Sequence, residues 1–236
     1  MTGPPNSSSS HDDFLAMLAH ELRNPLTAIK FSISGLRKQT GLPDQAETLI
    51  RILSQQTDHL AKLVQSLLAS AQLSSGKLVL GNELLELNQL VEEATRTVQP
   101  LLEGRQQQLN LQLESSPIQV FGDRTWLLQA VMNMMDNAAK FTPESGRIWV
   151  EVRTSGEAAE ILIRDSGCGM NEATLGRVFE RFFQAQNPQP VPTQGFGLGL
   201  FLVHQIAAAH SGTISVTSPG VNCGSTFTLQ LPLAAK

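Results

Sequence analysis

The chain has 236 residues, with 17 Lys plus Arg against 21 Asp plus Glu and a formal net charge of -4. That balance argues against nucleic-acid or membrane binding by bulk positive charge, and the length allows one large domain or two modest ones. Hydrophobic residues make up 41%, which fits a folded core, while Cys168 and Cys223 are too few for a disulfide framework and lack zinc spacing. A reducing compartment, and hence the cytoplasm, is expected. Residues 1–11 read as a flexible lead-in, because Met1 to Ser10 is Pro, Gly and Ser rather than an apolar signal.

From Asp12 to Arg37, Leu15, Leu18, Leu22, Leu26, Ile29, Ile33 and Leu36 recur every three or four residues, which predicts a helix with an apolar seam. After the breaker Gly41 to Asp44, a second seam runs through Leu49, Leu53, Gln56, Leu60, Leu63, Leu67 and Ala71, with Asp44 and Glu47 spaced as a capping box. The segment 12–74 is therefore expected to be an antiparallel helical hairpin. Two helices bury little surface alone, so a four-helix bundle made by a homodimer is the economical arrangement.

Ser74-Ser75-Gly76 breaks the pattern, and residues 77–236 alternate strand-like and helix-like segments, predicting a second domain of mixed α/β type. Strands are expected near Lys77 to Leu80, Gln107 to Leu113, Arg147 to Thr154, Ala159 to Asp165, Thr213 to Thr217 and Ser225 to Leu231. Helices are expected near Asn88 to Glu103, Asp123 to Lys140 and Gly197 to Ala209. Pro188, Pro190 and Pro192 mark a long loop from Gln184 to Gln194, suggestive of a lid. The uncharged stretch from Phe182 to Ala235 is interrupted by His204 and Gln205 too early to span a bilayer.

His20 lies two positions from both Leu18 and Leu22, so it points away from the seam. Asn24 shares its face, and Pro25 deprives the Glu21 carbonyl of its usual donor, predicting a kink beside the histidine. Asn133 and Asn137 are spaced i, i+4, opposite the apolar Leu127, Leu128, Val131, Met134 and Met135, so two amide oxygens on one side can hold a hard cation. Asp165-Ser166-Gly167-Cys168-Gly169 follows a strand, an arrangement that can present a carboxylate while the backbone passes close to a ligand. Gly195-Phe196-Gly197-Leu198-Gly199-Leu200 opens a helix, whose bare N–H groups suit phosphate. A Rossmann dinucleotide site would require an acid about 20 residues further on, and none follows.

Taken together, Phe14-Leu15-Ala16 with His20-Glu21-Leu22-Arg23-Asn24-Pro25-Leu26 resembles the phosphoacceptor box of sensor histidine kinases. Asn133 through Ala138, Ala139, Lys140, Phe141 and Thr142 resembles their asparagine box. Asp165 to Gly169, and Gly195 to Leu200 set after Phe179, Phe182 and Phe183, resemble their nucleotide-binding boxes. His210 to Ile214 and Gly224 to Phe227 fall where that family closes its sheet, so the resemblance covers about residues 12 to 233.

The resemblance implies a Bergerat-type ATP-binding domain and transfer of the γ-phosphoryl group of ATP to His20, with Glu21 as general base. It implies Mg²⁺ held by Asn137 first and Asn133 second, Lys140 adding charge at the phosphates, with Phe141 in the same box, and Asp165 accepting from the adenine amino group. Gly167, Gly169, Gly195, Gly197, Leu198, Gly199 and Leu200 would line the nucleotide. The phosphoryl group would pass on to an Asp of a response-regulator receiver, Asn24 orienting a water for its later removal. In-line transfer would require the nucleotide domain to swing through the Ser74 to Gly76 hinge. A sensor domain and any membrane attachment would lie in upstream sequence. Relatives often carry Arg or Lys after the aromatic pair, where this chain has Gln184 and no cation through Ala235. That departure keeps open an alternative: a nucleotide-binding signalling scaffold or phosphatase with weak kinase activity. An ATPase of the gyrase or chaperone type is disfavoured by the His20 box.

Overall fold

A computed structural model describes residues 26, 27, 29, 31, 33, 34, 36, 46, 48–54, 57, 60, 64, 80–185 and 197–234. The chain divides into two compact units, Met1–Leu78 and Val79–Lys236.

All described residues of the first unit are helical. Leu26 and Ile33 are buried, as are Ile50, Thr57 and Val64 at steps of seven. The hydroxyl of Thr57 donates to the Leu53 carbonyl at 2.7 Å, which satisfies a polar group on that buried stripe. The expected second seam is shifted. Leu49, Leu53 and Leu60 are exposed, and the buried stripe runs one position away from Leu49 through Ile50. Ile29 and Leu36 of the first expected seam are exposed as well, and Phe31 is 75% exposed. Apolar side chains thus occupy two stripes, of which one is covered within the chain. The breaker Gly41 to Asp44 and the seam positions Leu15, Leu18, Leu22, Gln56, Leu63, Leu67 and Ala71 lie outside the described residues.

In the second unit, β1 (Glu83–Glu86) pairs antiparallel with β3 (Gln119–Gly122) as a small two-stranded sheet. The main sheet has five strands in the order β2 (Gln108–Gln112), β4 (Arg147–Ser155), β5 (Ala158–Asp165), β7 (Ser225–Pro232) and β6 (Thr213–Thr217). Only β2 and β4 run parallel; the other three pairings are antiparallel. Alternation decides which face is buried. Val150, Ile163 and Phe227 sit in register across three strands, as do Val152, Ile161 and Leu229, and all six are buried. On the opposite face, Arg164 stacks over Trp149 at 4.9 Å, and Glu160 accepts from Arg153 at 2.8 Å and Gln230 at 2.7 Å.

Helices α1 (Leu87–Gly104), α2 (Arg124–Phe141) and α4 (Gly199–Ala209) pack in a layer, with α2 touching both others and β5. Asp123 caps α2 by accepting from the N–H groups of Thr125 and Trp126. The ends of α1 and α2 fall within one residue of expectation. Of the first expected strand, Lys77 to Val79 lie outside the described residues and Leu80 is in no strand; β1 begins at Glu83. Pairing with β3, a four-residue strand with little pattern of its own, sets that position. The single turn α3 (Glu172–Leu175), capped by Asn171, was likewise too short to show periodicity.

Candidate functional site

The end of α2 meets the turn after β5, and α4 packs against α2. Asn133 and Asn137 are half-buried on the flank of α2, whose other side buries Leu127, Val131, Met134 and Met135. Gln129 donates to the Asn133 Oδ1 at 3.1 Å, while the Asn133 Nδ2 is buried with no partner. Such an orphan is costly unless a ligand completes it. Turning both carboxamides by a half-rotation keeps the Gln129–Asn133 bond with roles exchanged and places an oxygen at the orphan position. The pair therefore fits either a phosphate oxygen or a hydrated cation. Among the described residues, no group of three His, Cys, Asp or Glu side chains could hold a metal ion, so amide oxygens are the donors on offer.

Lys140, in the last turn of α2, is half-buried, and burial pushes its ammonium below the usual lysine range. Its Nζ lies 4.8 Å from the centre of the Phe141 ring, and among the described residues it has no ion-pair partner. A positive charge kept partly from water without a carboxylate is poised for an anion.

The Phe141 carbonyl accepts from Cys168 N–H at 3.2 Å, which ties the end of α2 to the glycine turn after β5. A side chain at Gly167 would collide with that carbonyl and come within 2.7 Å of the Asp165 Oδ1. Gly169 holds φ near +60°, a conformation that side chains rarely adopt. Asp165 is 5% exposed, and its Oδ1 accepts from Gly167 N–H at 2.8 Å. Burial pushes its carboxyl above the usual aspartate range; the backbone N–H groups of Gly167 and Ser225 pull the other way and lose. A carboxylate has acceptor sites left after two such bonds, so it can still receive an amino group.

Helix α4 starts without a side-chain cap at Leu198, and among the described residues nothing lies within 4 Å of where a Gly199 side chain would point. Leu198 and Leu200 are buried anchors on either side of it. Phe182 N–H donates to the Gly197 carbonyl at 3.0 Å, which joins the two ends of the proline-containing loop. Most of that loop and Gly195 lie outside the described residues. So do His20, Glu21 and Asn24.

Three groups escaped sequence reading. Arg181 stacks its guanidinium over Phe182 at 5.2 Å and over Phe201, in the first turn of α4, at 5.8 Å. It stands one residue before the uncharged stretch, and so supplies a cation that a scan from Phe182 onward passes over. Ser218 accepts from Met170 N–H at 3.0 Å and donates to the Gly224 carbonyl at 2.7 Å, bracing the glycine turn from a loop 48 residues away in sequence. Finally, Gln107 and Arg105 hold the last carbonyls of α2: Gln107 Nε2 donates to Ala139 and Thr142, and Arg105 to Ala139 and Lys140. Nothing in the local sequence marks them, because their partners lie more than 30 positions on.

No helix among the described residues is long and apolar enough to cross a membrane. Residues 122–235 match the family of histidine kinase-, DNA gyrase B-, and HSP90-like ATPases, and residues 10–76 match the His Kinase A (phospho-acceptor) domain. The chain is 32% identical over 230 residues to the circadian input-output histidine kinase CikA of Synechococcus elongatus, covering 96% of this chain and 30% of that protein. In fold it is similar to full-length ShkA in complex with AMPPNP, with a TM-score of 0.78, 26% identity, and coverage of 95% of this chain and 46% of that one. It is also similar to the Acinetobacter baumannii histidine kinase AdeS, with a TM-score of 0.66, 27% identity, and coverage of 92% and 98%. The chain spans roughly a quarter to a half of the length of the first curated relatives it matches. With a phosphoacceptor domain followed by an ATP-binding domain of the kinase type, in that order, the chain belongs to the sensor histidine kinases of two-component systems.

Proposed function

We propose that this chain is the core of a histidine protein kinase that moves the γ-phosphoryl group of ATP to His20 and then to an Asp of a response-regulator receiver. The observation that carries the reading is the buried Asp165 beside a glycine turn pressed against the end of α2, where Asn137, Lys140 and Phe141 sit. In this reading residues 12–74 form the dimerising phosphotransfer hairpin and residues 77–236 the catalytic ATP-binding domain.

Asp165 accepts from the adenine amino group, and the lack of side chains at Gly167 and Gly169 lets the base approach the backbone. Phe141, Gly195, Gly197, Leu198, Gly199 and Leu200 line the rest of the nucleotide, with the N–H groups of α4 turned to phosphate. Asn137 and Asn133 hold Mg²⁺, which when bound neutralises phosphate charge and orients the transferring group. Lys140 and Arg181 add positive charge, and Arg181 offsets part of the cation deficit of the following loop. Glu21 takes the ring proton of His20 as the imidazole is phosphorylated, and Asn24 orients a water for dephosphorylating the receiver.

The exposed stripe of Leu49, Leu53 and Leu60, with Phe31, supports a homodimer that covers it. A cytoplasmic core fed by an upstream sensor domain fits this arrangement. Incubation with γ-labelled ATP and Mg²⁺ tests the reading, and acid-labile label on the chain is expected. Release of phosphate without label on the chain would favour the second reading, a nucleotide-binding scaffold or phosphatase with weak kinase activity. The uncharged stretch from Phe182 to Ala235 is what keeps that reading open.

A further inference from the structure

The turn Gly167 to Gly169 is bonded to the loop before β7 at two points. Gly224 N–H donates to the Gly167 carbonyl at 3.1 Å, and Asn222 N–H donates to the Cys168 carbonyl at 2.6 Å. These bonds bracket Cys168 on one segment and Cys223 on the other. By standard backbone dimensions, the Gly167–Gly224 bond alone holds the two Cα atoms within about 8 Å of each other. The second bond draws the segments closer, toward the separation of about 4.4–6.8 Å that a disulfide needs. A Cβ placed on Gly169 would lie 3.1 Å from the Cys223 backbone nitrogen, which shows how tightly the segments are laid together. Cys223 is exposed, Cys168 is half-buried, and neither is in a disulfide.

We propose that Cys168 and Cys223 are a redox modification site, closing to an intramolecular disulfide when the chain meets a hydroperoxide. The exposed Cys223 thiolate attacks a peroxide oxygen, the O–O bond breaks, and a sulfenic acid and water (or an alcohol) result. The Cys168 thiolate then attacks the Cys223 sulfur, the S–O bond breaks, and hydroxide leaves as water. Two thiols are oxidised, one peroxide is reduced, and a dithiol reductant reverses the change. Cysteine pairs that do this in a reducing compartment are sensing devices rather than structural staples.

The consequence for ATP rests on the kinase reading above. Cys168 lies between Gly167, packed on the Phe141 carbonyl, and Gly169, packed on the Gly220 carbonyl, so the turn has no slack with which to absorb a new bond. Pulling Cys168 toward Cys223 displaces the backbone that carries the Asp165 contact. Nucleotide affinity is therefore expected to fall by about 5-fold or more, the lower end of common coupling between sites.

The test treats the full chain with hydrogen peroxide, then measures non-reduced peptide masses and the affinity for a fluorescent ATP analogue. A linked peptide pair containing Cys168 and Cys223 of one chain, lighter by two hydrogens, is expected. Weaker nucleotide binding that dithiothreitol restores is expected with it, and both effects should be absent in Cys168→Ser and Cys223→Ser. Sulfinic acid on Cys223 with Cys168 unchanged, or disulfides only between chains, overturns the pairing. A disulfide that leaves affinity unchanged overturns the link to nucleotide. The kinase reading fails separately, if the reduced chain binds no nucleotide at all.

Discussion

Gln107 and Ala139 stand 32 positions apart, yet the carboxamide of one donates to the carbonyl of the other at 2.9 Å inside the protein. The same Nε2 reaches Thr142 at 2.8 Å, so a single side chain secures the last turn of α2, the turn that carries Lys140 and Phe141. Replacing Gln107 with Leu takes this donor from the Thr142 carbonyl, while Ala139 keeps its bond from Arg105. A destabilisation of about 1–3 kcal/mol is expected, the cost of leaving a buried acceptor unpaired. Thermal unfolding checks the size, and a parallel titration should show weaker nucleotide binding at a temperature where the variant is fully folded. A variant as stable as the parent would remove Gln107 from this role.

Two glycines of the site should behave differently. Gly167→Ala places a methyl group against the Phe141 carbonyl and the Asp165 carboxylate, so both folding of the second unit and nucleotide binding should suffer. Gly199→Ala meets nothing within 4 Å among the described residues, so stability should hold or rise slightly as Ala favours the helix. Nucleotide affinity should still fall if phosphate approaches that backbone. Paired melting and binding measurements separate the two cases, and equal melting losses would show that the close contact at Gly167 is unimportant.

Asp165 and Glu160 should respond to pH in opposite directions. Glu160 is held below the usual carboxylate range, first by Gln230 and then by Arg153. Its stabilising contribution is therefore present above the ordinary glutamate pKa and lost as pH falls through the lowered folded value. Asp165 is held above its usual range, so the fold gains from its protonation at low pH and loses that gain as pH rises through the raised value. Asp165→Asn should thus raise the melting temperature near neutrality while abolishing selective adenine binding. Nucleotide affinity of the parent chain should begin to drop, on acidification, at a pH above the ordinary aspartate range. A melting temperature lowered by Asp165→Asn at neutral pH would contradict this assignment.

Much of the second unit was legible because its strands alternate and its helices are long enough to show a period. Ile148, Val150 and Val152 alternate with exposed or half-buried neighbours in β4, and Phe227, Leu229 and Leu231 do so in β7. What stayed hidden was short or distant. β3 and α3 have four residues each, too few for periodicity, and β1 takes its position from β3 rather than from its own pattern. Gln107, Ser218 and Arg181 act through partners that only folding brings near. In the first unit, apolar spacing marked the helices but not which apolar stripe the chain covers for itself: Leu53 and Ile50 sit three residues apart, and only Ile50 is buried.

That uncovered stripe carries its own prediction. Leu53→Glu, on the exposed side, should convert the chain from dimer to monomer in sedimentation experiments while its helical signal is retained. Ile50→Glu should instead melt the first unit, because a charge would enter its buried stripe. A wild-type chain that sediments as a monomer would refute the dimer.

The most direct test of the kinase reading compares the parent chain with His20→Ala after incubation with γ-labelled ATP and Mg²⁺. The parent should carry label that acid removes and base does not. His20→Ala should carry none, while binding a fluorescent ATP analogue with unchanged affinity, since His20 lies in the phosphoacceptor match and the nucleotide residues in the ATPase match. Undiminished label on His20→Ala would contradict the assignment of the phosphoacceptor, and hence the proposed reaction.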